Sequence, residues 1–311
     1  MRFFCDRMNA KEVIIMIQPP VFQKYDQLKK NIKEVGVGLW IYVGLQLAMG
    51  FFLGIFATTF FMFSSFPIMN FGVLIISIVS AGCVIFYLMK RFHVNPRLDM
   101  KKEVRFKEIF QALAVMMLIS FAWGVVSIFL DMLLEAVNLP PLSQDLEFGN
   151  QFLDNFFLFL SVVVVAPIVE EIVFRGLIFK QLSKYHVGFA MVISSICFAC
   201  MHMNVVQGIP TFFMGLVLAY SYWKTGSLVT SMGIHFLNNL FAMFSTKMNL
   251  SFITIVLILL AVYVLVTKRD EIKEFIHEEK IPRFYFSFFI KNTAILLFFI
   301  LFILMAVISL F

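Results

Sequence analysis

Two adjacent glutamates, Glu170 and Glu171, follow the apolar run Val-Val-Val-Val-Ala-Pro-Ile-Val, and Arg175 comes four residues after the second. Two further apolar stretches each carry a histidine, His202 and His235, and the second also holds Asn238 and Asn239. An ionisable side chain at the centre of a bilayer costs about 2.5–3.5 kcal/mol on insertion scales, so a chain that keeps one there has a use for it. At helical spacing Glu171 and Arg175 stack on one face and pair, which neutralises both charges. Glu170 points about 100° away and is the carboxylate left for chemistry. A free carboxylate in a protected cavity is what a general base requires.

The other polar residues fit the same purpose. Phe198 and His202 share a helix face, as do His235 and Asn239, while Asn238 lies to the other side of His235 and is not excluded by geometry. A carboxylate, two histidines and an amide around one pocket suit hydrolysis. Glu170 deprotonates a water, and His202 and His235 polarise a carbonyl or hold a divalent metal such as zinc. Asparagine is a poor zinc ligand, so Asn239 is assigned to stabilising an oxyanion. Each motif alone has a plainer reading. The acidic pair serves as an ion pair beside a water-filled vestibule, and the histidines and amides tie helices together. Cys197 and Cys200 form a C-x-x-C before His202, but on a helix His202 lies roughly 140° or more from both, so they read as small apolar residues rather than zinc ligands.

These residues must be positioned by membrane helices. Hydrophobic residues make up 61% of the 311-residue chain, charged residues only 14%, and mean hydropathy is +0.93. Soluble domains carry about 25% charged residues, so the chain is an integral membrane protein. Nine apolar runs fall at about 35–63, 71–89, 109–134, 152–174, 188–202, 209–223, 228–246, 250–267 and 288–311. The expected fold is an all-α, polytopic transmembrane bundle of about eight or nine helices, with 188–202 and 209–223 short for a crossing. Residues 1–34 read as a cytoplasmic N-terminal arm and 35–311 as the membrane domain. If the runs alternate, all of the 25 Lys and Arg residues except Lys247 fall on one side, which the positive-inside rule makes cytoplasmic. The loops near 64–70, 135–151 and 203–208 then face out. The net charge of +6 follows from this orientation signal and does not point to nucleic acid. With the fourth helix continuing to about Lys184, Glu170, His202 and His235 lie about 21, 22 and 12 Å deep at about 1.5 Å per residue, close enough, with tilt, to share one cavity; if that helix ends near Gly176, the convergence weakens.

Glu170-Glu171-x-x-x-Arg175-Gly176, Phe198-x-x-x-His202 and His235-x-x-x-Asn239 together resemble the three successive motifs of the CaaX protease and bacteriocin-processing (CPBP, or Abi) family. The run Gly215-Leu-Val-Leu-Ala-Tyr-Ser-Tyr-Trp-Lys-Thr-Gly226 is also similar to that family. The resemblance covers about 150–243. It implies an intramembrane glutamate-type or metal-dependent endopeptidase in which Glu170 activates water. His202 and His235 then assist or bind metal, Asn239 stabilises the oxyanion, and Glu171, Arg175 and Phe198 support the site. It also implies a membrane-associated or lipidated substrate in a bacterial plasma membrane, and a link to a bacteriocin system or a sensor kinase. The competing readings are a non-catalytic module of the same fold, such as a self-immunity factor or kinase adaptor, and a transporter with an intramembrane proton relay. Paired broken helices in inverted repeats, the usual sign of transporters, are not evident in the sequence.

Overall fold

A computed structural model describes residues 20–60, 68–136, 151–245 and 248–308. Twelve helices are distinguished here: α1 (Pro20–Phe60), α2 (Ile68–Phe92), α3 (Arg97–Met100), α4 (Phe106–Ala136), α5 (Phe152–Leu182), α6 (Val187–Cys200), α7 (Val205–Thr225), α8 (Leu228–Ser245), α9 (Ser251–Thr267), α10 (Arg269–Glu278), α11 (Arg283–Ile290) and α12 (Thr293–Ile308). No strand occurs among the described residues. The protein is an all-α polytopic bundle.

Among the described residues each of the nine apolar runs is mainly helical, but they differ in reach. Five helices are long and apolar enough to cross a bilayer outright: α1, α2, α4, α5 and α7. The pairs α9–α10 and α11–α12 are bent by 61° and 76° and bring the total to seven if each is one span. The remaining two are α6 and α8. Helix α6 has 14 residues, about 21 Å at 1.5 Å per residue against a hydrocarbon core of about 30 Å. Helix α8 has 18 residues, and His235 and the two asparagines dilute its apolar character. The helix that ends just before His202 and the helix that carries His235 therefore have the weakest claim to a full crossing. Outward-facing apolar side chains such as Phe51, Phe86, Phe129 and Leu259 are more than half exposed, as lipid-facing positions should be.

The fourth element runs past the end of its apolar stretch. Helix α5 continues to Leu182 because Arg175 is buried within it rather than ending it. Its hydrogen-bonding widens to the π pattern at Leu160–Val165 and Ile172–Phe179. Such bulges shift side chains off the regular helical register and recur at functional sites. The expected arm over residues 1–34 is only partly described. Residues 20–34 continue the helix of the first span, and Leu28 and Ile32 are fully buried. Residues 1–19, most of the expected outer loops at 64–70 and 135–151, and Lys247 lie outside the described residues.

Caps fix the short connections. Asn204 starts α7 rather than an extended outer loop: its side-chain oxygen accepts from the N–H groups of Val206 and Gln207 at 2.8 and 3.3 Å. Gly226 ends α7 at φ +64°, a left-handed conformation that glycine adopts without strain. His186 caps α6 by accepting from the Phe189 N–H and lies 3.2 Å from Glu279.

The polar contacts sort the loops onto two ends. At one end, Asp99 meets the Lys180 ammonium at 2.5 Å and accepts from the Tyr222 hydroxyl at 2.8 Å, and Lys224 meets Glu271 at 2.5 Å. The Asn31 amide donates to Tyr185 there as well. At the other end, Asn70 donates to the Asp154 carboxylate at 2.7 Å. The basic loops that the sequence assigned to one side thus share one end of the bundle.

Candidate active site

The buried charge pair is the anchor. Glu171 and Arg175 are both fully buried, with Nη1 3.0 Å from Oε1. Burying two charges costs more than their attraction returns unless the remaining polar atoms are also satisfied. Here they nearly all are. Arg175 Nη2 donates to the Gly215 carbonyl at 3.0 Å, and the guanidinium lies 4.5 Å from the centre of the Phe198 ring. The Ser231 hydroxyl donates to Glu171 Oε2, and His235 Nδ1 lies 3.0 Å from Oε1. Only Arg175 Nε lacks a partner. The pair joins α5, α7 and α8 at one point in the membrane.

This anchor sets the chemistry of His235. A carboxylate paired with an arginine accepts hydrogen bonds and does not donate them, so Nδ1 of His235 carries a hydrogen. That frees Nε2, which points towards Glu170 Oε2 at 3.7 Å. The gap is too long for a direct hydrogen bond and leaves room for a water bonded to both atoms. Glu170 is about one-fifth exposed, in contrast to its buried neighbour. The two adjacent glutamates therefore differ in task. Glu171 is consumed by structure, whereas Glu170 stays partly exposed beside an imidazole.

Phe198 forms the wall between the histidines. Its ring meets His202 at 5.4 Å and His235 at 5.6 Å between centroids, at 90° and 85°. Phe174 packs on it at 5.3 Å. His202 follows the end of α6, and its Nδ1 lies 3.1 Å from the Phe198 carbonyl. A carbonyl can only accept, so Nδ1 is the protonated nitrogen and Nε2 carries the lone pair in the neutral ring.

Asn239 Nδ2 donates to the Val162 carbonyl at 2.9 Å. The reason lies in α5. In the widened turn the Ala166 N–H bonds to Ser161 O, so the next donor due, for Val162 O, is residue 167. Residue 167 is proline and has no N–H. Asn239 fills the place that Pro167 leaves empty. Its second amide hydrogen remains, and its Oδ1 accepts from Asn238 at 3.3 Å. Asn238 Oδ1 is buried without a partner.

The structure brings Glu170, Glu171, Arg175 and His235 into one cluster, places Phe198 against it and puts His202 across the Phe198 ring. Asn239 lies one turn beyond His235 on α8, braced to α5. The sequence reading missed Ser231, which shares His235's face one turn earlier, and Gly215, whose carbonyl receives Arg175. The i, i+4 spacing of Ser231 and His235 could have revealed the first. For a metal, the donor types fit: two neutral imidazole Nε2 atoms and a carboxylate are zinc ligands, and the Glu171–His235 contact is a usual outer-shell brace. Among the described residues no three His, Cys, Asp or Glu side chains come together as a metal-binding group.

Gly215 makes a specific demand. A Cβ there would lie 3.0 Å from Ser195 Cβ and 3.2 Å from its Cα, so α7 and α6 touch backbone to backbone. Gly215→Ala is expected to push α7 away, displace the carbonyl that holds Arg175 and cost about 1–3 kcal/mol. A thermal-unfolding midpoint in detergent equal to wild type would show that the contact is not tight.

Residues 152–241 match the family model of Rce1-like type II CAAX prenyl endopeptidases. That match supports the resemblance to the CPBP family over this segment. It begins with α5 and ends with Asn239 and its two neighbours, so it contains every residue of the cluster. Across a wider stretch, the chain is 31% identical over 133 residues to the membrane-embedded CAAX protease MroQ of Staphylococcus aureus (strain USA300). That alignment takes in 40% of this chain and spans about half (53%) of the relative's length. No solved structure matches the chain.

Proposed function

We propose that this protein is an intramembrane endopeptidase that hydrolyses a peptide bond of a membrane-associated or lipidated peptide or protein. The observation that carries the reading is Glu170 Oε2 at 3.7 Å from His235 Nε2, with the far side of that imidazole fixed by a fully buried carboxylate. Glu170 removes a proton from a water seated between the two groups, and the water oxygen attacks the scissile carbonyl carbon. The free N–H of Asn239 steadies the oxygen as it becomes negative, and His202 lines the site across the Phe198 ring. As the carbon–nitrogen bond breaks, the proton held by Glu170 passes to the leaving amine. Phe198 keeps both rings in place, and Glu171 and Arg175 hold His235 in the required tautomer.

This mechanism contains no metal step. If a divalent ion such as zinc takes part, His202 and His235 are the residues that hold it through Nε2, and its chemistry is to polarise the scissile carbonyl or the water. The basic loops gathered at one end support a reading in which that end, and the N-terminus, face the cytoplasmic side of a bacterial plasma membrane. A bacteriocin system or a sensor kinase supplies the substrate or receives the product.

Cleavage by purified protein tests the proposal. The full chain in detergent is incubated with membrane-anchored peptides, with and without exhaustive chelation, and products are read by mass spectrometry alongside metal content. A product that persists after chelation supports Glu170 acting on water unaided. Activity lost on chelation and restored by zinc assigns His202 and His235 as ligands. A protein that binds the peptides and leaves them intact under all conditions contradicts the hydrolase reading.

A further inference from the structure

Away from the Glu170 cluster, α4, α6, α7, α9 and α10 enclose a cavity of about 440 Å³. This is within the range of small-ligand sites. Its walls are apolar, built from Val115, Met191, Leu216, Val217, Val264 and Phe275. The 61° bend between α9 and α10 lays α10 across one side, held there by Phe275 against Trp223 at 4.7 Å and against Tyr220 at 5.4 Å. The bend itself falls at Lys268, whose ammonium lines the cavity mouth.

The mouth is of the opposite character. A second hollow of about 480 Å³ shares Glu108, Gln111 and Lys268 with the first and adds Glu103, Arg105, Lys107 and Lys224, of which Arg105 lies 3.7 Å from Glu103 and Lys224 2.5 Å from Glu271. Lys268 is held by the neutral Gln111 oxygen at 2.6 Å and stays 3.9 Å from Glu108, so its charge is positioned without being fully spent. Inside the cavity, Ser221 is 1% exposed and its hydroxyl oxygen has no hydrogen-bond partner. It lies on α7 one turn deeper than Lys224, below the ring of cations. A buried, unpartnered hydroxyl on an otherwise apolar wall is costly unless a ligand satisfies it.

An apolar slot, a hydroxyl one turn below its mouth and cations around the opening match the layers of one kind of molecule. We propose that this is a specific site for an anionic phospholipid. One acyl chain fills the cavity, an ester carbonyl accepts from Ser221, and the phosphate lies among Lys268, Lys224 and Arg105. The site sits at the end where the basic loops gather, which is where anionic headgroups are attracted by juxtamembrane lysines and arginines. It is also braced to the catalytic helix, because the Arg105 N–H donates to Thr230 Oγ1 at 3.0 Å on α8, five residues before His235. The site needs no peptidase activity, so its failure leaves the hydrolase proposal untouched.

The test uses the full chain in detergent with palmitoyl-oleoyl phosphatidylglycerol, the matching phosphatidylcholine and inorganic phosphate as separate additives. Bound lipid is counted by native mass spectrometry, and the unfolding midpoint is recorded. Phosphatidylglycerol is expected to bind in preference and raise the midpoint. Lys268→Gln should weaken that binding about fivefold, the contribution of one basic residue near an anionic surface. Val217→Trp, which fills the slot, should abolish it. Equal binding of both lipids, reproduction of the shift by phosphate alone, or an unchanged lipid preference in Lys268→Gln would each overturn the proposal. Lys268→Gln reads the headgroup contact even if the tryptophan variant fails to fold.

Discussion

Glu170→Gln is expected to reduce peptide cleavage by about 10²–10⁴-fold, the usual contribution of a positioned general base. The unfolding midpoint and expression level should stay at wild-type values. The physical reason is the division of labour between the two glutamates. Glu170 is part-exposed, and its Oε2 lies 3.7 Å from His235 Nε2, beyond hydrogen-bond range. Glutamine keeps its shape and removes only its basicity. The comparison is made with purified protein at matched concentration, by initial rate on a membrane-anchored peptide. A Glu170→Gln rate within a few-fold of wild type would mean that another group activates the water.

Glu171→Ala should behave in the opposite way. Removing it leaves the Arg175 guanidinium charged and fully buried, with only the Gly215 carbonyl and the Phe198 ring for company. Breaking one side of a buried pair costs about 3–5 kcal/mol. Ser231 and His235 also lose their acceptor. The expected result is a large drop in midpoint and in the amount of protein reaching the membrane, with activity lost as a consequence. The double variant Glu171→Ala/Arg175→Met removes the stranded charge and should recover a substantial part of the midpoint, since apolar replacement of a buried pair is often tolerated. Activity should not return with it, because His235 no longer has the carboxylate that fixes its tautomer. If the single variant were as stable as wild type, the pair would not be the anchor described.

The residues of the candidate site stood out in the sequence because the membrane makes polar side chains conspicuous. Glu171 and Arg175 paired as their spacing required, and Glu170 was left out of the pair on the same argument. Among the described residues the nine apolar runs are mainly helical for the equally simple reason that backbone groups in lipid must bond within their own segment. How far each helix reaches was less visible. Helix α5 extends past Arg175 because a buried cation with a carboxylate, a carbonyl and an aromatic ring does not end a span. Helix α6 falls short of a full crossing, and nothing in its own composition, only its length, says so. The hydrogen-bond partners were the hardest to foresee. Asn239 braces Val162 because a proline five residues later withdraws a donor, and that link spans 77 residues. Ser231 and Gly215 contribute through geometry that exists only once α5, α7 and α8 are packed.

The central claim is that a water activated at Glu170 is added across a peptide bond. It is tested most directly by running the cleavage in H₂¹⁸O and weighing both fragments. The account predicts one ¹⁸O atom in the new carboxyl terminus from wild type, and neither fragment from Glu170→Gln. Fragments that form without label, or labelled fragments released equally by Glu170→Gln, would contradict it.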